Sequence, residues 1–218
     1  MELKGKKIVF LGDSITEGCG VADQTNNFVN RIGRAGECRE VKNYGIGGTR
    51  IARQTNPTNE RWDKDFCLRV EELDEDADVV VVFGGTNDFG HGDAPLGSFE
   101  DRTVYTFYGA CHYLMNRLHE RFPGKPIVIC TPIHRLTEDN TKGDGNKAYH
   151  YAPLSVYVNI IREVAEYYSL PVLDLWAVSG IQPKVDVIRE KFCPDGLHPN
   201  DAGHGILAEK MLAFLRAM

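Results

Sequence analysis

The sequence predicts an α/β fold, a doubly wound sandwich around a parallel five-stranded sheet, and two observations carry that reading. Short runs rich in Val and Ile recur along the chain, and longer stretches with helical periodicity lie between them. The runs are continuous rather than alternating, as in strands covered on both faces. They span 7–11, 79–83, 127–130 and 171–175, with a weaker run at 41–44. Helices are expected over 27–35, 61–73, 105–122, 154–168 and 202–217. In the third, Phe107, Ala110, Cys111, Leu114, Met115 and Leu118 follow one i, i+3, i+4 stripe, which Pro123-Gly124 stops.

A usual domain size of ~150 residues points to a single domain over 1–218. The chain is 42% hydrophobic, and its 22 Gly and 10 Pro are too few for a disordered composition, so it is expected to fold. A core of this size needs neither a disulfide nor a metal. The six cysteines form no C-x-x-C pair and are expected as free thiols. A net charge of −6 without a Lys/Arg cluster argues against nucleic acid or an anionic membrane as the main partner. No apolar run reaches the ~18 residues of a membrane helix, and the run at 8–11 is too short for a signal-peptide core. A cytoplasmic location and a small-molecule substrate are expected, and nothing in the composition speaks to oligomeric state. The longest polar segment, 134–151, reads as a surface insertion near the site rather than a linker.

In a doubly wound sheet, ligands sit outside the carboxyl ends of the strands. Four unusual segments map there: 12–18, 45–50, 84–96 and the stretch that includes 195–199. Gly12-Asp13-Ser14 follows the first strand and aims a serine hydroxyl at the ligand crevice, although the same residues also suit a turn and a helix cap. At the other end, Asp195-Gly196-Leu197-His198-Pro199 sets a carboxylate and an imidazole three residues apart, before a helix that Pro199 is suited to start. A serine hydroxyl is a weak nucleophile near neutral pH. It needs a base within hydrogen-bond reach, and the base needs a carboxylate to fix its tautomer. Ser14, His198 and Asp195 fit these roles.

Acyl transfer also needs donors aimed at the oxyanion. The stretch Asn43-Tyr44-Gly45-Ile46-Gly47-Gly48-Thr49 follows the second strand, where a glycine lets a backbone N–H approach substrate. Gly45, Gly47 and Gly48 compete for that role. Gly84-Gly85-Thr86-Asn87-Asp88 follows the central strand and offers the Asn87 side-chain amide. Neither loop has the spacing of a dinucleotide or P-loop phosphate site.

Taken together, the four segments resemble the SGNH hydrolases, also called GDSL esterases and lipases. G-D-S-I-T is similar to the first block of that family, N-Y-G-I-G-G to the second, G-G-T-N-D to the third and D-G-L-H-P to the last, in order from residue 12 to 199. The resemblance implies a three-layer α/β/α sandwich of flavodoxin-like type. It also implies ester hydrolysis through an acyl-enzyme, without metal or cofactor. By the same resemblance Ser14 is the nucleophile, Asp195 and His198 complete the triad, and the oxyanion donors are the N–H groups of Ser14 and Gly48 with the Asn87 amide. The α/β-hydrolase arrangement does not apply, because its G-x-S-x-G elbow is absent. Activity is expected to fall on the acid side, since the base must be neutral.

His91, His134, His150 and His204, with Asp88, Asp93 and Asp144 nearby in sequence, lack metal-site spacing, and no metal is expected. His91 and His134 are read as pocket-lining or exposed loop residues. Cys193 is expected as a packed thiol, and Arg50 and Arg53 as solvated surface arginines. The loops at 49–60, 89–102 and 134–151 are polar, which favours a short acyl group, acetyl above all, on a polar alcohol such as a carbohydrate. Alternatives are a lysophospholipase, thioesterase or acyltransferase of the same fold, or a non-catalytic domain that binds a small ligand.

Overall fold

The computed structural model describes residues 1–57, 59–145, 147 and 152–218. The expected strands form one parallel five-stranded sheet: β1 (Lys7–Gly12), β2 (Glu40–Gly45), β3 (Val79–Phe83), β4 (Ile127–Cys130) and β5 (Val172–Leu173), in the order β2-β1-β3-β4-β5. This is the flavodoxin-like order, in which the chain leaves β2 on one side of β1 and resumes with β3 on the other. The register sets Phe10 of β1 beside Asn43 and Val81.

Side chains alternate across the sheet and feed two apolar layers. Val9, Leu11, Val80 and Val82 pack with Phe107, Leu114, Tyr157 and Ile161. Ile8, Phe10, Val79 and Val81 pack on the opposite face with Phe28, Ile32, Leu207 and Met211. The helices are α1 (Ser14–Glu17), α2 (Phe28–Ala35), α3 (Phe66–Arg69), α4 (Thr86–His91), α5 (Phe107–Arg121), α6 (Leu154–Tyr167), α7 (Leu175–Val178), α8 (Asp186–Phe192) and α9 (Asp201–Ala217). The first layer thus brings in α5 and α6, the second α2 and α9, and the result is a three-layer α/β/α sandwich. Among the described residues, no helix is long and apolar enough to cross a membrane. All six cysteines carry free thiols.

The helix expected over 61–73 is not one helix. Only Phe66–Arg69 is α-helical, followed by a 3-10 turn at Val70–Glu72. Short polar side chains claim the backbone upstream and compete with helix formation. Asn59 Oδ1 accepts the N–H groups of Arg61 and Trp62 at 3.1 and 3.2 Å, and Asp63 Oδ2 accepts that of Asn59 at 2.8 Å. Asp65 then caps α3 by accepting the Leu68 N–H at 2.9 Å. The expected fifth strand at 171–175 shortens to two residues because Leu175 opens α7. Asn200 rather than Pro199 starts the last helix, accepting the N–H groups of Ala202 and Gly203 at 3.0 and 3.1 Å.

Candidate active site

β1 ends at Gly12, and Ser14 is the first residue of α1. Asp13 caps that helix by accepting the Ile15 N–H at 3.0 Å, and Gly18 (φ 102°) closes it. The short helix holds the Ser14 hydroxyl at the carboxyl edge of the sheet, beside the point where strand order reverses. The Ser14 Oγ lies 3.0 Å from His198 Nε2, across 184 residues of sequence. His198 Nδ1 lies 2.7 Å from Asp195 Oδ2. Asp195 Oδ1 accepts the N–H groups of Leu197 and His198 at 2.8 and 2.7 Å. The turn between them places Gly196 at φ 78°, which favours glycine. Burial alone pushes the Asp195 carboxyl up, but the two backbone N–H groups and the imidazole together hold it below the usual range.

The glycine stretch after β2 lies against α1, with the place of a Gly47 Cβ 3.4 Å from Ser14 Cβ. Its three glycines differ in what their N–H groups do. Gly45 donates to Asn43 Oδ1 at 2.8 Å, and Gly47 donates to Glu17 Oε2 at 2.8 Å. The Gly48 N–H has no partner among the described residues. Gly48 also has φ 80° and packs under the Trp62 indole, which a Cβ would overlap. Asn87, on the first turn of α4, is 5% exposed and donates to the Thr49 carbonyl at 3.0 Å. An amide carries two N–H donors, so one remains. The Ser14 N–H, at the start of α1, has no intrahelical acceptor.

Several groups that hold this edge together were invisible as such in the sequence. Arg69 is 1% exposed and reaches Thr49 Oγ1 at 2.9 Å, the Gly12 carbonyl at 3.1 Å and the Tyr44 carbonyl. It ties the ends of β1 and β2 to the loop that follows, and burial lowers it to about 10. Asp88 accepts the N–H groups of Ile51 and Ala52, both at 2.9 Å. Burial outweighs those bonds and pushes Asp88 up to about 6, as it does Asp13. From the 134–151 segment, Arg135 donates to the Thr86 carbonyl at 3.3 Å, and Lys147 donates to the Asp88 carbonyl at 2.8 Å and the Tyr157 hydroxyl at 2.5 Å. Asp88 lies in a visible motif, and Glu17 and Asn43 flank others. Arg69, Arg135 and Lys147 carry no local signal, because their partners are distant in sequence.

Arg50 is not a solvated surface residue: it is buried and ion-paired with Asp63, because the short turn at 59–63 folds back over it. Arg53 is half-buried and pairs with Asp65 at 3.0 Å. His134 bonds Glu138 at 2.8 Å and lies against the Trp176 ring, at 3.8 Å between centroids. His204 is fully buried, accepts the Phe28 N–H at 3.1 Å and stacks on the Phe28 ring. His91 is partly buried beneath Trp62. His150 lies outside the described residues. Asp93 accepts the N–H groups of Thr55 and Asn56, and Asp144 pairs with Arg135. Among the described residues no group of three or more His, Cys, Asp or Glu side chains is set to hold a metal. Cys193 is packed out of solvent, and burial pushes its thiol up to about 12.

With this geometry in view, comparison with known proteins finds the family described as GDSL-like lipase/acylhydrolase matching residues 10–206. No curated protein matches the chain. Among solved structures, a Lactobacillus plantarum protein is 30% identical, with a TM-score of 0.83 and 98% of each chain covered. A lipase/acylhydrolase from Enterococcus faecalis is 24% identical, with a TM-score of 0.64, covering 97% of this chain and 96% of that one. An acetyl xylan esterase is 20% identical, with a TM-score of 0.60, covering 96% of this chain and 99% of that one. The last two share the fold at low identity.

Proposed function

This chain belongs to the GDSL-like lipase/acylhydrolase family, and from that premise we propose that it is a serine esterase that removes short acyl groups, acetyl first, from a polar alcohol such as a carbohydrate. The observation that carries this reading is the continuous chain from Ser14 Oγ through His198 to Asp195, with bonds of 3.0 and 2.7 Å. Nothing else in a small-ligand binding site calls for a nucleophile, a base and an orienting carboxylate in contact.

The reaction uses these groups in turn. His198 Nε2 takes the Ser14 proton as Oγ attacks the ester carbonyl carbon, and Asp195 keeps the imidazole in the tautomer that accepts there. The tetrahedral oxyanion is held by the N–H groups of Ser14 and Gly48 and by the free Asn87 N–H. His198 then protonates the departing alcohol, leaving an acyl group on Ser14. Water repeats the sequence and releases the acid.

The polar loops at the rim support a short acyl group, because a long chain needs an apolar groove. One solved structure that shares the fold is an acetyl xylan esterase, which agrees with that choice. Steady-state turnover of p-nitrophenyl esters of increasing acyl length, without added metal, tests the proposal. The acetate is expected to be the fastest substrate, and faster hydrolysis of the octanoate would overturn the short-acyl assignment.

A further inference from the structure

Trp62 is one of two tryptophans in the chain, and it is 40% exposed at the rim of the site. It is nevertheless held in place. Its ring lies 4.8 Å from the His91 ring at an interplanar angle of 39°. Its indole packs on Gly48 so closely that no side chain fits there, and the Trp62 backbone N–H donates to Asn59 Oδ1 at 3.2 Å. Behind the pair, His91 Nδ1 lies 3.3 Å from Arg50 Nη1, and Arg50 is in turn ion-paired with Asp63. Burial, with the Arg50 guanidinium beside it, pushes His91 down to about 4, so the ring that backs the indole is uncharged at neutral pH.

An indole held in place yet part-exposed offers a flat apolar face with a polar edge, a combination suited to a surface where one side of a ligand is apolar and the other wet. Its position is specific, because Gly48 offers the unpartnered N–H in the candidate oxyanion hole. A group laid on the indole is therefore adjacent to the carbonyl held there. The surroundings are polar: Arg61, next to Trp62 in the chain, pairs with Glu17, and Asn59, Glu60 and Asp63 occupy the same turn. A fatty chain finds one apolar face there and charges around it. A pyranose has one apolar C–H face and a rim of hydroxyls, which matches an indole bordered by hydrogen-bonding groups.

We propose that Trp62, backed by His91, is the platform for the sugar ring of an acylated carbohydrate substrate. This assignment rests on the esterase reading above and names the substrate class of the same site.

The test compares wild type, Trp62→Ala and Trp62→Phe on an acetylated xylo-oligosaccharide, on p-nitrophenyl acetate and on p-nitrophenyl octanoate. Trp62→Ala is expected to lose at least about tenfold more kcat/KM on the acetylated sugar than on p-nitrophenyl acetate, mainly through KM, with partial recovery in Trp62→Phe. Equal loss on all three esters would reduce Trp62 to a support for Gly48 and overturn the platform. A loss concentrated on the octanoate would make it an acyl-chain contact and overturn it equally. A second readout does not depend on hydrolysis. In a Trp176→Phe background, Trp62 is the sole tryptophan, and xylotetraose is expected to change its fluorescence saturably. If wild type cleaves no ester yet this titration saturates, the esterase reading fails while the platform stands. No fluorescence change up to high millimolar sugar would overturn the platform whatever the esterase result.

Discussion

Asp195 serves His198 twice: Oδ2 lies 2.7 Å from the imidazole Nδ1, and Oδ1 accepts the backbone N–H of the same residue at 2.7 Å. One carboxylate thus fixes both the ring and the turn that presents it. Its ionised form is favoured, since those backbone bonds and the imidazole hold its carboxyl below the usual range against the effect of burial. Asp195→Asn is expected to lower kcat by roughly 10²–10⁴-fold with little change in KM, because the amide stabilises the wrong tautomer. Steady-state rates of variant and wild type on p-nitrophenyl acetate check this, and an unchanged kcat would contradict the role of Asp195.

Asn87 tests the proposed oxyanion hole. Its amide spends one N–H on Thr49 and keeps the other. Asn87→Ala is expected to cost ~10²–10³ in kcat, leaving a rate between wild type and Ser14→Ala. Steady-state assay of the three proteins on one ester decides it, and equal rates for Asn87→Ala and wild type would remove Asn87 from the site.

Gly48 is the position where backbone conformation and space act together. With φ 80° and the Trp62 indole over its Cα, Gly48→Ala is expected to lose about 1–3 kcal/mol of stability and to lower kcat more than Gly47→Ala does. Gly47 has no left-handed conformation to protect, and a Cβ there meets mainly the flexible Glu17 carboxylate. Denaturant melts and rates for the two variants provide the check, and identical behaviour would contradict the assignment.

Asp88 links stability to pH. Burial raises its carboxyl from 3.8 to about 6. Between those values the folded protein holds more protons than the unfolded chain, so this contribution is present at low pH and lost as pH rises through about 6. Asp88→Asn removes that linkage, along with one of the two backbone bonds. The Tm gap between wild type and variant is therefore expected to be wider at about pH 4.5 than at about pH 7.5. A gap that widens with pH would contradict the raised value.

Much of this molecule was legible in the sequence, for a physical reason. The buried strands are continuous apolar runs, and Ser14, Asn87, Asp195 and His198 each stand in a short segment at a strand end or before a helix. Ser14 and His198 meet across 184 residues because the fold brings their segments together. Which of Gly45, Gly47 and Gly48 keeps a free N–H was not legible, because it depends on which N–H groups the Asn43 and Glu17 side chains consume. The helix expected over 61–73 failed because Asn59, Asp63 and Asp65 bind local backbone, an effect that periodicity does not register. Arg69 and Trp62 take their meaning from contacts with residues far along the chain, and a linear reading gives neither a signal.

An esterase of this kind carries its acyl group on Ser14 between the two half-reactions. Rapid acid quench of wild type and Ser14→Ala during turnover of p-nitrophenyl acetate, followed by peptide mass analysis, looks for that acyl-enzyme. An acetyl group is expected on the Ser14 peptide of wild type, none in Ser14→Ala, and turnover lower by roughly 10⁴-fold or more in the variant. An acetyl group on another residue, or Ser14→Ala turning over at the wild-type rate, would contradict it.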